Sequence, residues 1–379
     1  MSVAHMSVSE AAAYFEIIDP EIKEDAGITP FLTFPLLKAC NFHCNYCGEG
    51  GELSASMVNQ WDHELLIKRI YTAHRLGVRK FRLTGGEPFL YKHIASVLET
   101  LNKLGCYTHI NTNGSFIQQH EDVISRLNSN MHFAVSLDTV REDKFDHIAQ
   151  TQRKFDYYNR TLEGIKLLKG YNRLLRVNMV VTIDNVDEIF DMIDFCAEIG
   201  CNLKLLDVVS VPLPFGDRRN LHVSFNEIEE KLLKAADYVD NHEYARAFGT
   251  PCKIYVVKGV RVTAKNTWNG SRYELEGICK GCEYFPCHEG LYDIFALPDG
   301  RVVGCRWSDT SVAATNTAND RYKAEGDFEA ALQRLFGIFR RATYMPRTEN
   351  EIMKPKPYFV LHSLQTAKLS KCGGSDKES

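Results

Sequence analysis

The 379-residue sequence lacks several features that would fix a function class at once. No apolar run is long enough to span a bilayer, so the sequence predicts no membrane role. Met1 to Ala13 lacks the basic-then-apolar order of a secretory signal, and the chain reads as cytoplasmic. Neither sign of charge dominates. Lys and Arg total 45 against 49 Asp and Glu, a formal charge of -4, which offers no basic field for nucleic acid. There is no long-period repeat and no low-complexity tract. What remains is globular composition, 44% apolar and 25% charged, enough for a large core.

Cysteine is the residue in excess, with 12 in the chain. Without a secretory signal, metal binding is a more natural use for them than a disulfide framework. Cys40, Cys44 and Cys47 form one group, and Cys279, Cys282, Cys287 and Cys305 form another. Cys106, Cys196, Cys201, Cys252 and Cys372 are scattered and read as small core residues.

From Thr33 to about Asp207, β-like runs alternate with amphipathic helical stretches. The strands are Thr33–Leu37, Lys80–Thr84, Tyr107–Asn111, His132–Leu137, Leu174–Thr182 and Asn202–Leu206. Helices fall at Asp62–Leu76, His93–Leu104, near Glu121–Leu127, Tyr158–Lys169 and Val186–Ile199. Gly77, Gly105, Gly170 and Gly200 follow helical stretches, as C-terminal caps do. This alternation predicts right-handed βαβ units on a parallel sheet. Six units are too few for a closed eight-stranded barrel, and reactive residues are expected beyond the strand C-termini. A loop at Val211–His222 and a helix around Asn226–Val239 follow, then hairpins from Cys252 to Trp307.

Cys40-Asn-Phe-His-Cys44-Asn-Tyr-Cys47 directly follows the first strand. A [4Fe–4S] cluster usually takes four cysteines, so three local ones leave one iron open to an exogenous ligand. The alternative is a zinc site completed by His43 or a distant residue, though tetrahedral zinc prefers paired CxxC spacing. Thr84-Gly85-Gly86-Glu87-Pro88 ends the second strand. Its glycines let backbone approach a ligand, and Glu87 offers a carboxylate to an ammonium group. Alone, that run is equally a tight strand-to-helix turn.

Together the two motifs resemble the radical S-adenosylmethionine (SAM) superfamily. The resemblance implies that SAM chelates the open iron with Gly85, Gly86, Glu87 and Pro88 near its methionine end. It also implies reductive cleavage to a 5′-deoxyadenosyl radical that abstracts hydrogen from substrate. Arg82–Pro88, Thr112-Asn113-Gly114, Val135–Asp138 and Arg176-Val-Asn178 are similar to successive strands of the GTP cyclases of molybdenum-cofactor biosynthesis. By that match Thr112, Asn113, Ser136 and Arg176 are candidate SAM contacts, with Arg176 where that family has lysine. Gly373-Gly374 resembles that family's terminal double glycine; a frayed tail is the plain alternative.

Cys279-Lys-Gly-Cys282 and Cys287 precede a hairpin folded at Pro298-Asp299-Gly300, with Cys305 on its return strand. Such a hairpin sets Cys305 opposite about Asp293, and four sulfurs in this region suggest a second metal site. The cyclases hold an auxiliary [4Fe–4S] cluster on comparable cysteines; structural zinc is the alternative. Alignment on the cysteines and on Asp299-Gly300 puts Thr33, Asp293 and Phe295 where the cyclases carry arginines. A triphosphate needs cationic donors, so a paralogue with a different substrate is expected. Arg218, Arg219 and Asp293 are the candidate substrate residues.

The expected fold is α/β: a partial (β/α)6 barrel with a C-terminal β-hairpin auxiliary-cluster extension. The expected divisions are an N-terminal extension (1–30), the barrel (31–210), a linker and helix (211–250), a cysteine-rich domain (251–310) and a tail (311–379). The expected partners are a small-molecule substrate and an electron donor such as flavodoxin or ferredoxin. The competing readings are a radical SAM peptide maturase and a non-catalytic iron–sulfur or zinc module.

Overall fold

The computed structural model describes residues 30–47, 60–151, 155–208, 221–240, 252–266, 273–274, 293–304, 325–340 and 343–344. Its centre is a run of six parallel strands with intervening helices: β1 (Phe31–Pro35), α1 (His63–Arg75), β2 (Lys80–Thr84), α2 (Ile94–Lys103) and β3 (Tyr107–Thr112). Then come α3 (Glu121–Ile124), β4 (Met131–Ser136), α4 (Glu142–Ala149), α5 (Tyr157–Gly170), β5 (Leu174–Val181), α6 (Ile189–Ile199) and β6 (Asn202–Asp207).

Local chemistry explains the boundaries. The Asp62 side chain accepts from Leu65 N at 2.9 Å and caps α1, a contact worth about 1 kcal/mol. Leu66, Ile70 and Ala73 form the buried stripe of that helix, and His74 and Arg75 sit in its last turn, against the negative end of its dipole. Gly200 ends α6 in the left-handed conformation. Gly170 does not act as a cap: it closes α5, and Asn172 takes the positive φ of 55°.

Two antiparallel units extend this sheet, one of three strands and one of two. The strands β7 (Tyr238–Asp240), β8 (Cys252–Val257) and β9 (Val260–Lys265) add to one side, with β9 parallel to β6. On the other side β11 (Asp293–Ala296) lies parallel to β1, and β12 (Val302–Val303) returns antiparallel. The short strands β10 (Tyr273–Glu274) and β13 (Thr343–Tyr344) pair separately. The large sheet has 11 strands, and its edges β12 and β7 do not pair with each other among the described residues. It is therefore open, as a partial barrel requires.

Three elements differ from the sequence expectation. The α4 helix was not anticipated, because only Phe145, Ile148 and Ala149 of its eight residues are buried. The helix expected to Val239 is α7 (Phe225–Ala235), and Tyr238–Asp240 pairs with β8 instead. Within 311–379, read as a tail, α8 (Glu325–Arg340) buries Phe328, Leu332, Leu335 and Phe339 in the main core. The Arg69 guanidinium lies 4.2 Å from the Phe328 ring centre, and Arg75 pairs with Glu329 at 2.7 Å. No helix of the described residues is long and apolar enough to cross a membrane.

Candidate active site

The cysteine loop leaves β1 and is fastened on both sides. Gly86 N donates to Leu37 O at 2.7 Å and Glu87 N to Ala39 O at 2.9 Å. On the far side, His43 N donates to Ala149 O at 2.9 Å and Asn45 N to Ile148 O at 3.1 Å, at the end of α4. Phe42 is buried, with its ring edge-on to Phe145 at 5.6 Å and to Tyr157 at 5.5 Å. Gly85 and Gly86 thus meet the cysteine loop itself. A Cβ on Gly86 would stand 2.1 Å from Ala39 O, and one on Gly85 2.5 Å from Leu37 O. Gly85 also has a φ of 128°.

Glu87 is 1% exposed and accepts from Thr112 Oγ1 at 2.7 Å, Asn113 N at 2.7 Å and Phe89 N at 3.1 Å. Burial pushes its carboxyl up to about 7, against the pull of those donors. It therefore ties the end of β3 to the end of β2 as well as facing the cavity. Asn113 Nδ2 donates to Asn41 Oδ1 at 2.8 Å and lies 4.0 Å from Cys40 Sγ, while Asn41 Nδ2 donates to Ser115 Oγ at 3.0 Å.

Tyr46, between Cys44 and Cys47, donates to Asp138 Oδ2 at 2.6 Å, and Asp138 Oδ1 accepts from Val180 N at 2.8 Å. Burial raises the Asp138 carboxyl to about 6. Sequence reasoning did not assign Tyr46 or Asp138 to the site. The available signal was the position of Asp138 two residues beyond Ser136, just past the end of β4.

These residues enclose a cavity of about 230 Å³ lined by Cys40, Cys44, Cys47, Gly85, Gly86, Glu87, Thr112, Asn113, Ser136 and Asp138, among others. Thr84, Asn111, Ser136 and Val180 come to its wall from four consecutive strands, β2 to β5. Pro88 and Arg176 are not on that wall. Pro88 opens the turn behind Glu87. Arg176 shares the alternation of Asn178 and Val180 but sits four residues before Val180, about 13 Å along the strand. Its Nε donates to Asn178 Oδ1 at 3.1 Å. Asp293 lies on β11 beside β1 and accepts from Arg82 Nη1 through both oxygens, at 2.8 and 2.6 Å. Thr33 and Phe295 are register partners across the same pair of strands. Cys279, Cys282, Cys287, Cys305, Arg218 and Arg219 lie outside the described residues.

The donor set suits an iron–sulfur cluster. Cys40, Cys44 and Cys47 are in no disulfide and share one cavity. Burial pushes the Cys40 thiol up to about 12, and burial and then Asp138 push Cys44 up. Sulfurs that cannot ionise alone at neutral pH become thiolates against cationic iron. Among the described residues no three Cys, His, Asp or Glu side chains converge tightly enough for a single ion. A cubane spreads its ligands over separate corners.

Residues 34–196 match the model of the radical SAM superfamily, so the chain carries a radical SAM domain and is an enzyme of that kind. That superfamily implies a [4Fe–4S] cluster and SAM, which the cysteine loop and its cavity fit. The chain is 26% identical over 308 residues to a probable GTP 3′,8-cyclase of Methanothermobacter thermautotrophicus, covering 78% of this chain and 91% of the relative. It is 27% identical over 318 residues to the corresponding protein of Methanothermobacter marburgensis, covering 80% and 92%. Among solved structures, Streptococcus suis SuiB bound to S-adenosylmethionine aligns at a TM-score of 0.55 with 14% identity, over 85% of this chain and 72% of that one. Native anSMEcpe with bound AdoMet aligns at 0.52 with 14% identity, over 79% and 81%. These two likenesses are likenesses of fold.

Proposed function

We propose that this enzyme starts C–H abstraction from a small metabolite, of the nucleoside or nucleotide class, leading to cyclisation, rearrangement or redox change. The observation that carries the reading is the single cavity shared by the three thiols and the polar ends of β2 to β4. When bound there, the cluster and SAM supply a 5′-deoxyadenosyl radical. The chain's own residues hold and shield that chemistry. Cys40, Cys44 and Cys47 would ligate iron; Asn113 and Asn41 steady the loop beside Cys40; Glu87 aims Thr112 and Asn113; Phe42 and Phe145 exclude water from one wall. Ser136, Thr112 and Asn113 offer polar groups to SAM, whereas Arg176 stands four residues before Val180 on β5, off the cavity wall.

The relatives of similar length are named for GTP, but two features favour a different substrate here. Asp293 holds Arg82 in a bidentate ion pair beneath the Phe31 ring, which lies 4.4 Å from the guanidinium carbon. A triphosphate recruiting Arg82 would have to break that buried ion pair and sit beside the Asp293 carboxylate, which repels phosphate. The neighbouring Thr33 and Phe295 supply no cation. Cys279, Cys282, Cys287 and Cys305 are proposed to bind an auxiliary [4Fe–4S] cluster. Flavodoxin or ferredoxin is the proposed electron donor, and the cytoplasm the proposed location.

Anaerobic reconstitution with iron and sulfide, followed by SAM and dithionite, tests the reading. About eight irons per chain and formation of 5′-deoxyadenosine are expected. About four irons with bound zinc would make the second cysteine group structural. No 5′-deoxyadenosine from reconstituted, SAM-bound protein would overturn the radical mechanism.

A further inference from the structure

Four helix ends close with the same hydrogen bond, from a backbone N–H to the carbonyl five residues earlier. The bonds are Val78 N to Ala73 O at 3.0 Å, Cys106 N to Leu101 O at 3.2 Å, Arg173 N to Leu168 O at 2.8 Å and Cys201 N to Cys196 O at 3.0 Å. This closure brings the side chains of its first and last residues together, usually as an apolar contact. Ala73 with Val78 and Leu101 with Cys106 follow that habit. Where α6 turns into β6, both residues are cysteines.

Cys196 is fully buried and Cys201 is 9% exposed. Neither is in a disulfide, and neither belongs to the cavity described above. Gly200 lies between them with a φ of 73°, and its N–H also donates to Cys196 O, at 2.9 Å. Lys169 reaches over from the end of α5, and its Nζ donates to Gly200 O. A Cβ on Gly200 would stand 3.3 Å from that Nζ, so the ammonium is packed onto the turn itself. The neighbouring Cys196 thiol, and then the Lys169 ammonium, hold the Cys201 thiol below its ordinary value; the neighbouring Cys201 and burial push Cys196 up. The arrangement is that of an attacking thiol, the less deeply buried of the two, with a resolving thiol beside it.

We propose that Cys196 and Cys201 form a peroxide-oxidisable dithiol that closes reversibly to an intrachain disulfide. The Cys201 thiolate attacks hydrogen peroxide; an S–O bond forms, the O–O bond breaks, and hydroxide leaves to become water. The Cys196 sulfur then attacks the resulting sulfenic sulfur; an S–S bond forms, the S–O bond breaks, and a second water carries off the Cys196 proton. Two thiols are oxidised and one peroxide is reduced to two waters. A small dithiol reductant reverses the change. The narrow exposure of Cys201 suits an oxidant of peroxide size. Closure would staple the end of α6 to the start of β6.

Tryptic peptide Val177–Lys204 has no internal Lys or Arg and contains only these two cysteines, so it reads the pair alone. Anaerobically purified, cluster-loaded enzyme would be treated with stoichiometric hydrogen peroxide, unfolded in iodoacetamide, digested and weighed. The expected peptide is unalkylated and lighter than its reduced form by two hydrogens, and dithiothreitol restores a doubly alkylated form. In Cys196→Ser, dimedone should trap a sulfenic acid on Cys201; in Cys201→Ser, Cys196 should stay alkylatable. A doubly alkylated wild-type peptide after peroxide overturns the proposal, whatever the variants do. So does loss of Cys196 alkylation in Cys201→Ser at the wild-type rate.

Discussion

Gly86→Ala is the sharpest perturbation that the site offers. The added Cβ would lie 2.1 Å from Ala39 O, 2.5 Å from Ala39 C and 2.6 Å from Lys38 O. All three are backbone atoms, so no rotamer change relieves the contact. The cysteine loop must retreat by about 1 Å, which strains or breaks the Gly86 N to Leu37 O and Glu87 N to Ala39 O bonds. Two hydrogen bonds at about 1 kcal/mol each, plus about 1–3 kcal/mol of overpacking, give a loss of about 3–5 kcal/mol. Ala39 precedes Cys40, so the first sulfur moves with the loop. Urea unfolding and iron per chain after anaerobic loading measure the two consequences. Gly170→Ala is the control: its Cβ meets nothing within 4 Å, and alanine is the better helix former. A Gly86→Ala variant that stays within about 1 kcal/mol of wild type and loads iron equally well would refute the clash.

Glu87 titrates in the folded apoprotein near 7, above its ordinary 4.5, because burial disfavours the carboxylate. The folded state therefore holds the proton more tightly, and stability falls as pH rises from about 4.5 to above 7, by about 3 kcal/mol for this group. Apoprotein Glu87→Gln should lose that part of the pH slope between urea curves at pH 5 and pH 8; an unchanged slope would count against the assignment. Cys44→Ala should abolish 5′-deoxyadenosine formation while far-ultraviolet circular dichroism stays that of wild type. Full SAM cleavage in that variant would remove Cys44 from the cluster.

Much of this site was legible because its parts are local in sequence. Three cysteines within eight residues, and two glycines before Glu87 at the end of a strand, need no tertiary information to be noticed. The strand Lys80–Thr84 has the bounds that alternation predicts. The hairpin at Asp299 was visible because its turn chemistry is self-contained: Asp299 Oδ1 accepts from Arg301 N at 3.1 Å, and Gly300 has a φ of 90°.

What stayed illegible depends on partners far away in the chain. Nothing around Tyr238 distinguishes the end of a helix from a strand until β8 stands beside it. Phe328 and Leu332 look like residues of an isolated amphipathic segment until α1 supplies Arg69 and a surface to cover. The glycine pair shows the same limit in a functional motif. Its composition indicates that something approaches closely, and a ligand was the natural expectation. The structure shows that the approaching backbone is Leu37–Ala39, the stem of the cysteine loop. Tyr46 makes the complementary link, carrying the other end of that loop to Asp138, 92 residues away. The cysteine spacing marks the proposed iron-binding loop, but the hydrogen bonds that fasten it come from the ends of β2, β4 and α4. A substitution in any of those distant segments can therefore weaken iron binding without touching a ligand.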